Sequence, residues 1–466
     1  MSERIAVFDK DGCLSVAREI VPAVRASAVA CLPSRSVCAL APWSCAIDLV
    51  FQRGSDEMDD NTVAPECLSG VRVLDLSQFE AGPSCTEVLA MLGAEVVKVE
   101  SPKGGEPGRA IGTGPAPGAD GYYFMIYNAN KKSVTVDLKT ERGIALVKEM
   151  AEHADVFVEN MAPGTIERLG LGWEVLHALN PRLIYAQVKG FGEGSPYEHN
   201  LAFDMIAQAC GGMMSITGER AGRPCKPGPT LGDTGTGMLL AISILSTLYQ
   251  RQTTGRGRRI QIAMQDAMLQ YIRGALAQHA RTGEPAMRNG AKPLAGGISP
   301  VGIYPCAPGG PNDYVYLFTS NNNPEHWRRL LKVLGREDLL DDPRFATRET
   351  RAEHEAEVDA VISEWTRRHD KHEAMRLVGA AGVPAGAVLD TGDLLGEPSF
   401  ETRGIMQTMQ HPRGPMKMPT FPVRFDGAPP RVTPAPLLGA HNTTVLGDWL
   451  GMSADDVEKL KRDRVL

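Results

Sequence analysis

Val71-Arg72-Val73-Leu74-Asp75-Leu76, Ala81-Gly82-Pro83-Ser84 and Glu95-Val96-Val97-Lys98-Val99-Glu100 follow one another within residues 71–100. The outer two are short apolar runs of strand length. The middle one opens a helix, with a proline in the first turn, where the missing N–H costs nothing. Residues 86–92 continue that helix and Gly93 ends it. Strand, helix and strand in so short a span form a β-α-β unit, whose strands run parallel through a right-handed crossover. The reading is therefore an α/β fold with an open, parallel, doubly wound sheet of Rossmann-like type.

The alternation continues downstream. Residues 133–138, 155–158 and 183–188 read as strands, and 141–154 as a helix. Ligands of such sheets sit beyond the carboxyl ends of the strands, which points to 77–82, 100–109, 160–164 and 189–194. The chain becomes rich in Gly and Pro near 285–300 and breaks again near 394–404. The expected organisation is a large α/β domain over 68–288, a smaller α+β domain over 289–395, and a C-terminal return to the large domain over 396–466. Residues 1–67 carry five of the nine cysteines and no clear period. They read either as a poorly ordered extension or as sequence upstream of a true start at Met58.

A chain of 466 residues can bury a sizeable core in more than one domain. Its 43% hydrophobic and 23% charged residues are those of a globular protein. The net charge of −7 argues against nonspecific nucleic-acid binding. No uninterrupted apolar stretch approaches the roughly 20 residues of a membrane span. The cysteines form no C-x-x-C pair and no His/Cys ligand spacing, so free thiols, a reducing compartment and no metal site are expected. That compartment is the cytoplasm or, for a eukaryotic source, the mitochondrion.

Thr230-Leu231-Gly232-Asp233-Thr234-Gly235-Thr236-Gly237 sets one carboxylate on a turn with glycine on both sides, ahead of an apolar helix near 237–250. Two readings are open. Asp233 caps the helix by accepting first-turn N–H bonds, or it is a nucleophile toward an activated acyl group, with glycine letting backbone approach.

Taken in order, Gly70–Leu76 with Ala81-Gly82-Pro83, Leu92–Glu100, Asn130-Lys131-Lys132-Ser133, Val136-Asp137-Leu138-Lys139, Val158-Glu159-Asn160-Met161-Ala162-Pro163-Gly164, Phe203-Asp204, the Gly232-Asp233 turn, Thr254-Gly255-Arg256-Gly257, Met264-Gln265-Asp266-Ala267 and Pro436-Leu437-Leu438-Gly439-Ala440-His441 resemble the class III CoA-transferases. That family includes formyl-CoA transferases and carnitine-type CoA-transferases. Each motif is short; their number and order carry the resemblance, over about 68–466. It implies a homodimer of interlocked rings, acyl-CoA and carboxylic acid substrates, and CoA thioester as substrate rather than bound cofactor; the charge and the lack of a long apolar run lead to the expectation of neither nucleic acid nor membrane as partner.

The resemblance also implies roles. Asp233 matches the nucleophile, and Gly296 and Gly297 match a mobile glycine loop that closes over the site. Glu80 stands at a site-facing position where formyl-CoA transferases have an amide, which argues against formyl or oxalate specificity; its alternative is a solvated acid at the start of a helix. Ala81, Val136, Asp137, Leu138, Lys139, Asn160 and Arg168 match CoA-contacting positions. Lys103 and Arg109, in the loop after the second strand, are candidates for phosphate contacts. Succinyl-CoA is the leading donor. Two rivals stand beside this reading. The α-methylacyl-CoA racemase branch places a histidine where this chain has Phe203, which cannot carry a proton; a CoA-binding protein without transfer activity requires Asp233 to be only a cap.

Overall fold

The computed structural model describes residues 67–466 apart from 116, 117, 295 and 321, all within one compact unit, Val63–Leu466. The expectations for 1–67 fall outside the described residues, Cys67 excepted. Six strands, β1 (Arg72–Asp75), β2 (Glu95–Glu100), β3 (Lys132–Thr135), β4 (Val156–Glu159), β5 (Ile184–Lys189) and β6 (Arg259–Ala263), form one sheet in the order β3-β2-β1-β4-β5-β6. Every pairing in it is parallel, and Leu74 lies opposite both Val97 and Phe157. The doubly wound expectation is met, with strand order reversing between β1 and β4.

Alternate residues of each strand feed opposite cores, as the pleat requires. Val73, Val96 and Val156 pack with Leu240 and Ile244 of the Thr236–Thr254 helix. Leu74, Val97 and Phe157 pack with Leu146 and Met150 of the Glu141–Glu152 helix, and with Leu446, Trp449 and Leu460 near the C-terminus. Burial on both faces explains why the strands read as continuous apolar runs. The third strand ends at Thr135, short of the expected 138, because the Asp137 N–H leaves the sheet and donates to Val465 O at 2.7 Å.

An antiparallel sheet of β7 (Val301–Pro305), β8 (Tyr314–Phe318) and β9 (Ala385–Ala387) has a core of its own, with Trp327, Leu330, Val358 and Ile362. A hairpin of β10 (Met406–His411) and β11 (Gly414–Pro419) follows. Among the described residues, Leu231–Thr254 alone is long and apolar enough to cross a membrane, and half of its apolar window is buried inside the protein. Leu240, Ala241, Ile244 and Thr247 supply that buried stripe at helical spacing, so core packing accounts for it.

Candidate active site

A cavity of about 530 Å³ opens beyond the carboxyl ends of β1, β4 and β5. Gln78–Ala81 line it after β1, Asn160–Pro163 after β4, and Lys189 and Gly190 at the end of β5; Phe203, Asp233 and Met264 complete its inner wall. This is the crevice at which the strand order reverses, where an open α/β sheet leaves room for a ligand.

The loop after β1 is held in an unfavourable shape. Phe79 has φ of 63°, a left-handed conformation that costs a bulky residue roughly 1–3 kcal/mol. Its N–H donates to Glu106 Oε2 at 2.8 Å, and Lys98 Nζ donates to Ser77 O at 2.8 Å. Gln78 and Asn160 exchange two bonds, at 2.8 and 2.7 Å. Beneath the loop, Asp75 is fully buried and accepts from Thr86 Oγ1 at 2.7 Å and Lys131 Nζ at 3.2 Å. Burial alone would raise its pKa, but Lys98, Lys131 and the Ser77 and Thr86 hydroxyls outweigh that and hold it at about 2. A charged foundation therefore fixes the loop that presents Glu80.

Glu80 is buried, which excludes the solvated-acid reading. The Thr230 hydroxyl donates to its Oε1, and the Tyr123 hydroxyl to its Oε2 at 3.3 Å. Burial raises its pKa, against the bonds from Thr230, Tyr127 and Tyr123. Thr230 in turn leads into a single π-helical turn, Leu231–Gly235, that carries Asp233. The Asp233 and Thr234 N–H groups both donate to Thr230 O, at 3.1 and 2.8 Å. Neither this turn nor the Thr236–Thr254 helix has a side-chain cap bond, so Asp233 is not a cap. Its carboxylate is half-buried and lines the cavity; burial first, then the Glu80 and Asp204 charges, push its pKa up to about 7. Gly237 allows this closeness: a Cβ there would lie 2.3 Å from Ser84 Oγ and 2.6 Å from Ala81 O.

Several expected residues converge here. Glu80, Ala81, Leu138, Lys139, Asn160 and Asp233 line the cavity. Leu138, Lys139 and Leu169 continue into an adjoining cavity of about 440 Å³ that Arg168 and Lys148 also line. Others fall elsewhere. Val136 is a core residue, and Asp137 is taken up by the C-terminal contact and by the Lys139 N–H. Lys103 is exposed on the far loop and lines neither cavity.

Arg109 is a correction. Its guanidinium is buried against Glu100 (2.6 and 2.7 Å) and Asp120 (2.8 Å) and lies 3.7 Å from the centre of the Phe124 ring. It organises the protein interior and offers nothing to a phosphate. Gly296 and Gly297 do not line this cavity in the single chain. They line a different cavity, of about 480 Å³, with Lys292 and Glu355. Lys292 binds Glu355 (2.8 Å) and Asp359 (3.0 Å), which ties this segment to the core of the second sheet.

Sequence reading gave no role to Phe79, Tyr123, Lys148, Lys189, Asp204 or Thr230. The β5 end flagged Lys189, whose Nζ sits 2.7 Å from Glu159 Oε1. Nothing local flagged Tyr123 or Thr230, which reach the site across 43 and 150 residues of chain from Glu80.

A family model described as CoA-transferase family III matches residues 68–442. The formyl-CoA:oxalate CoA-transferase of Streptomyces avermitilis is 38% identical over 415 residues, covering 86% of this chain and 100% of that protein. The succinyl-CoA–D-citramalate CoA-transferase of Chloroflexus aurantiacus is 37% identical over 404 residues, with 86% and 98% covered. The crystal structure of a CAIB/BAIF family protein from Brucella suis superposes with a TM-score of 0.74 at 31% identity, covering 83% of this chain and 100% of that one.

Proposed function

Because this chain belongs to CoA-transferase family III, an enzyme family, we propose that it moves CoA from an acyl-CoA thioester to a free carboxylic acid with Asp233 as covalent nucleophile. One observation carries the reading. Asp233 is an uncapping, half-buried carboxylate at the crevice, and its pKa is raised to about 7 by burial, Glu80 and Asp204.

Asp233 attacks the thioester carbonyl; the C–S bond breaks, its electrons leave on sulfur, and a mixed anhydride remains. The CoA thiolate attacks the aspartyl carbonyl and expels the donor carboxylate, leaving aspartyl-CoA. The acceptor carboxylate displaces the thiolate from that thioester, and the thiolate then takes the acceptor acyl group and frees Asp233. No net proton is consumed, and every intermediate keeps the activation of the first thioester. The neighbouring acids favour this path, because acylation passes the charge they repel from Asp233 to the CoA sulfur.

Phe203 supports transfer over racemisation. It lines the cavity beside Asp233, packed edge-on 6.1 Å from Phe79, and His199 is exposed and lines none of it. For CoA, the two joined cavities suit an elongated ligand: an apolar inner chamber for the pantetheine arm and Lys139, Lys148 and Arg168 for phosphates. A homodimer is proposed too. Ile242, Tyr249, Leu269 and Leu276 are large apolar side chains left exposed on the helices Thr236–Thr254, Met264–Tyr271 and Arg273–Thr282. In such a dimer, Gly296 and Gly297 close over a cleft that they do not line in the single chain.

Succinyl-CoA is the first donor to test, beside formyl-CoA. Incubation with each, followed by hydroxylamine and peptide mass spectrometry, is expected to give a hydroxamate on the Asp233 peptide. Asp233→Asn is expected to lose both the adduct and turnover. Turnover that survives Asp233→Asn overturns the assignment.

A further inference from the structure

Asp204 opens the Asp204–Cys210 helix, is 3% exposed, and belongs to no lining of the cavity. Its Oδ1 accepts the Gly232 N–H at 2.9 Å. Gln208 Nε2 reaches both of its oxygens, at 2.8 and 2.9 Å, and so fixes the plane of the carboxylate. The two backbones touch at this point: a Cβ on Gly232 would lie 2.6 Å from Asp204 O and 3.0 Å from its Cα. A π-helical turn leaves part of the backbone outside the regular ladder, and such turns persist where something else satisfies it. Here a carboxylate does so, one residue before Asp233.

We propose that Asp204 is the positioning residue of the nucleophile turn: its carboxylate, oriented by Gln208, anchors the Gly232 N–H and so aims Asp233 into the cleft. The proposal rests on the reading of Asp233 as nucleophile. Asp204 touches no substrate and works from behind. Glu80 holds the chain two residues earlier, through Thr230 at the entry to the same turn. The turn is thus clamped by two acids, and both of them also face Asp233 electrostatically.

The test compares Asp204→Ala, Asp204→Asn and Asp233→Asn in the full chain, with the donor that best labels Asp233. Asp204→Ala is expected to lower kcat and the rate of Asp233 labelling about 100-fold, the scale of a misplacement near 1 Å, with KM for acyl-CoA within about threefold. Asp204→Asn keeps an acceptor oxygen for the Gly232 N–H and is expected to recover at least about tenfold of that loss. It also removes one like charge beside Asp233, so the acid limb of kcat/KM moves to lower pH. The other groups facing this turn are Glu80 and Tyr123 from the opposite wall, Lys226, 3.5 Å from Asp204, and Tyr271, whose hydroxyl donates to Gly235 O. They are unchanged in the variant. Asp204→Ala within about twofold of wild type overturns the proposal, as does Asp204→Asn with the acid limb unmoved. If Asp204→Ala does not fold, the Asn limb decides alone. Activity retained by Asp233→Asn instead overturns the nucleophile reading, which separates the two failures.

Discussion

Replacing Gly232 by alanine tests the geometry of the site with one methyl group. The added Cβ would stand 2.6 Å from the carbonyl oxygen of Asp204, whereas real Cβ contacts begin near 3.0 Å and become ordinary at 3.4 Å. The obstacle is backbone and cannot rotate away. The turn must therefore retreat by about 0.4–0.8 Å, the difference between 2.6 Å and those two limits. That retreat lengthens the 2.9 Å bond from Gly232 N–H to Asp204 and carries Asp233 with it. A misplacement near 1 Å costs about 100-fold in rate, so a shift of this size is expected to lower kcat by roughly 10- to 100-fold. KM for the acyl-CoA should stay within about threefold, because the CoA-facing walls are untouched. The assay is steady-state transfer beside the rate of hydroxamate formation on the Asp233 peptide, with thermal unfolding as a check that the chain is folded. A folded Gly232→Ala enzyme within twofold of wild type would refute the claim that this turn is positioned by close backbone contact.

Three further outcomes follow from the charges. On the proposed reading Asp233 attacks as the carboxylate, and burial with the Glu80 and Asp204 charges pushes its pKa up to about 7, so kcat/KM is expected to fall as pH drops through that value; Glu80→Gln removes one repelling charge and should move the limb to lower pH. Glu87 is pushed up to about 8 by burial, with Lys131 opposing, and its Oε1 has no partner. For an acid whose folded pKa lies above its ordinary 4.5, stability is full below 4.5 and is lost as pH rises through about 8. Glu87→Gln should therefore match wild type in unfolding midpoint near pH 5 and exceed it near pH 9, measured by thermal melts at both. Lys148→Ala is expected to raise KM for acyl-CoA about 3- to 10-fold with kcat unchanged, an effect that shrinks with added salt in steady-state titrations.

What was legible in the sequence was whatever is local or periodic. The strands Glu95–Glu100 and Ile184–Lys189 stand within a residue of where their apolar runs place them, because burial on a sheet writes itself into consecutive residues. The crevice was legible too, since strand ends follow from strand order. Breaks inside helices were not: His354 divides Arg348–Glu353 from Glu355–Thr366 with no glycine or proline to mark the break. Arg109 was misread for a related reason. An arginine after a strand looks alike in sequence whether it meets solvent or Glu100, and only the fold brings Asp120 and Pro436 O to it as well. From its own segment Asp233 read as a cap before a nucleophile, and only the resemblance reversed that order, because the choice depends on whether its side chain turns back to the first-turn amides. The π-helical turn leaves it without a cap bond, and the supports of that turn, Thr230 to Glu80 and Gly232 to Asp204, are long-range contacts without a local signature.

The distribution of charge gives the cleft a direction. Its inner end holds Glu80 and Asp233, with Asp204 behind them, while Lys98 and Lys131 are spent beneath the loop on Ser77 O, Asp75 and Pro83 O. Its outer end holds Lys139, Lys148 and Arg168. On the proposed reading, a CoA thioester entering phosphates first would set several negative charges against three acids. Entering thioester first, it leaves those charges on the cations and brings a neutral carbonyl to Asp233. Like charges at close range are costly in a partly desolvated pocket, so the same acids that raise the pKa of Asp233 also reject the reversed pose. The strained Phe79 and the π-helical turn then have one common purpose. Each turns a carboxylate toward the cleft that ordinary strand or helix geometry would point elsewhere, and the buried ion pairs and clamps around them are what hold those conformations in place.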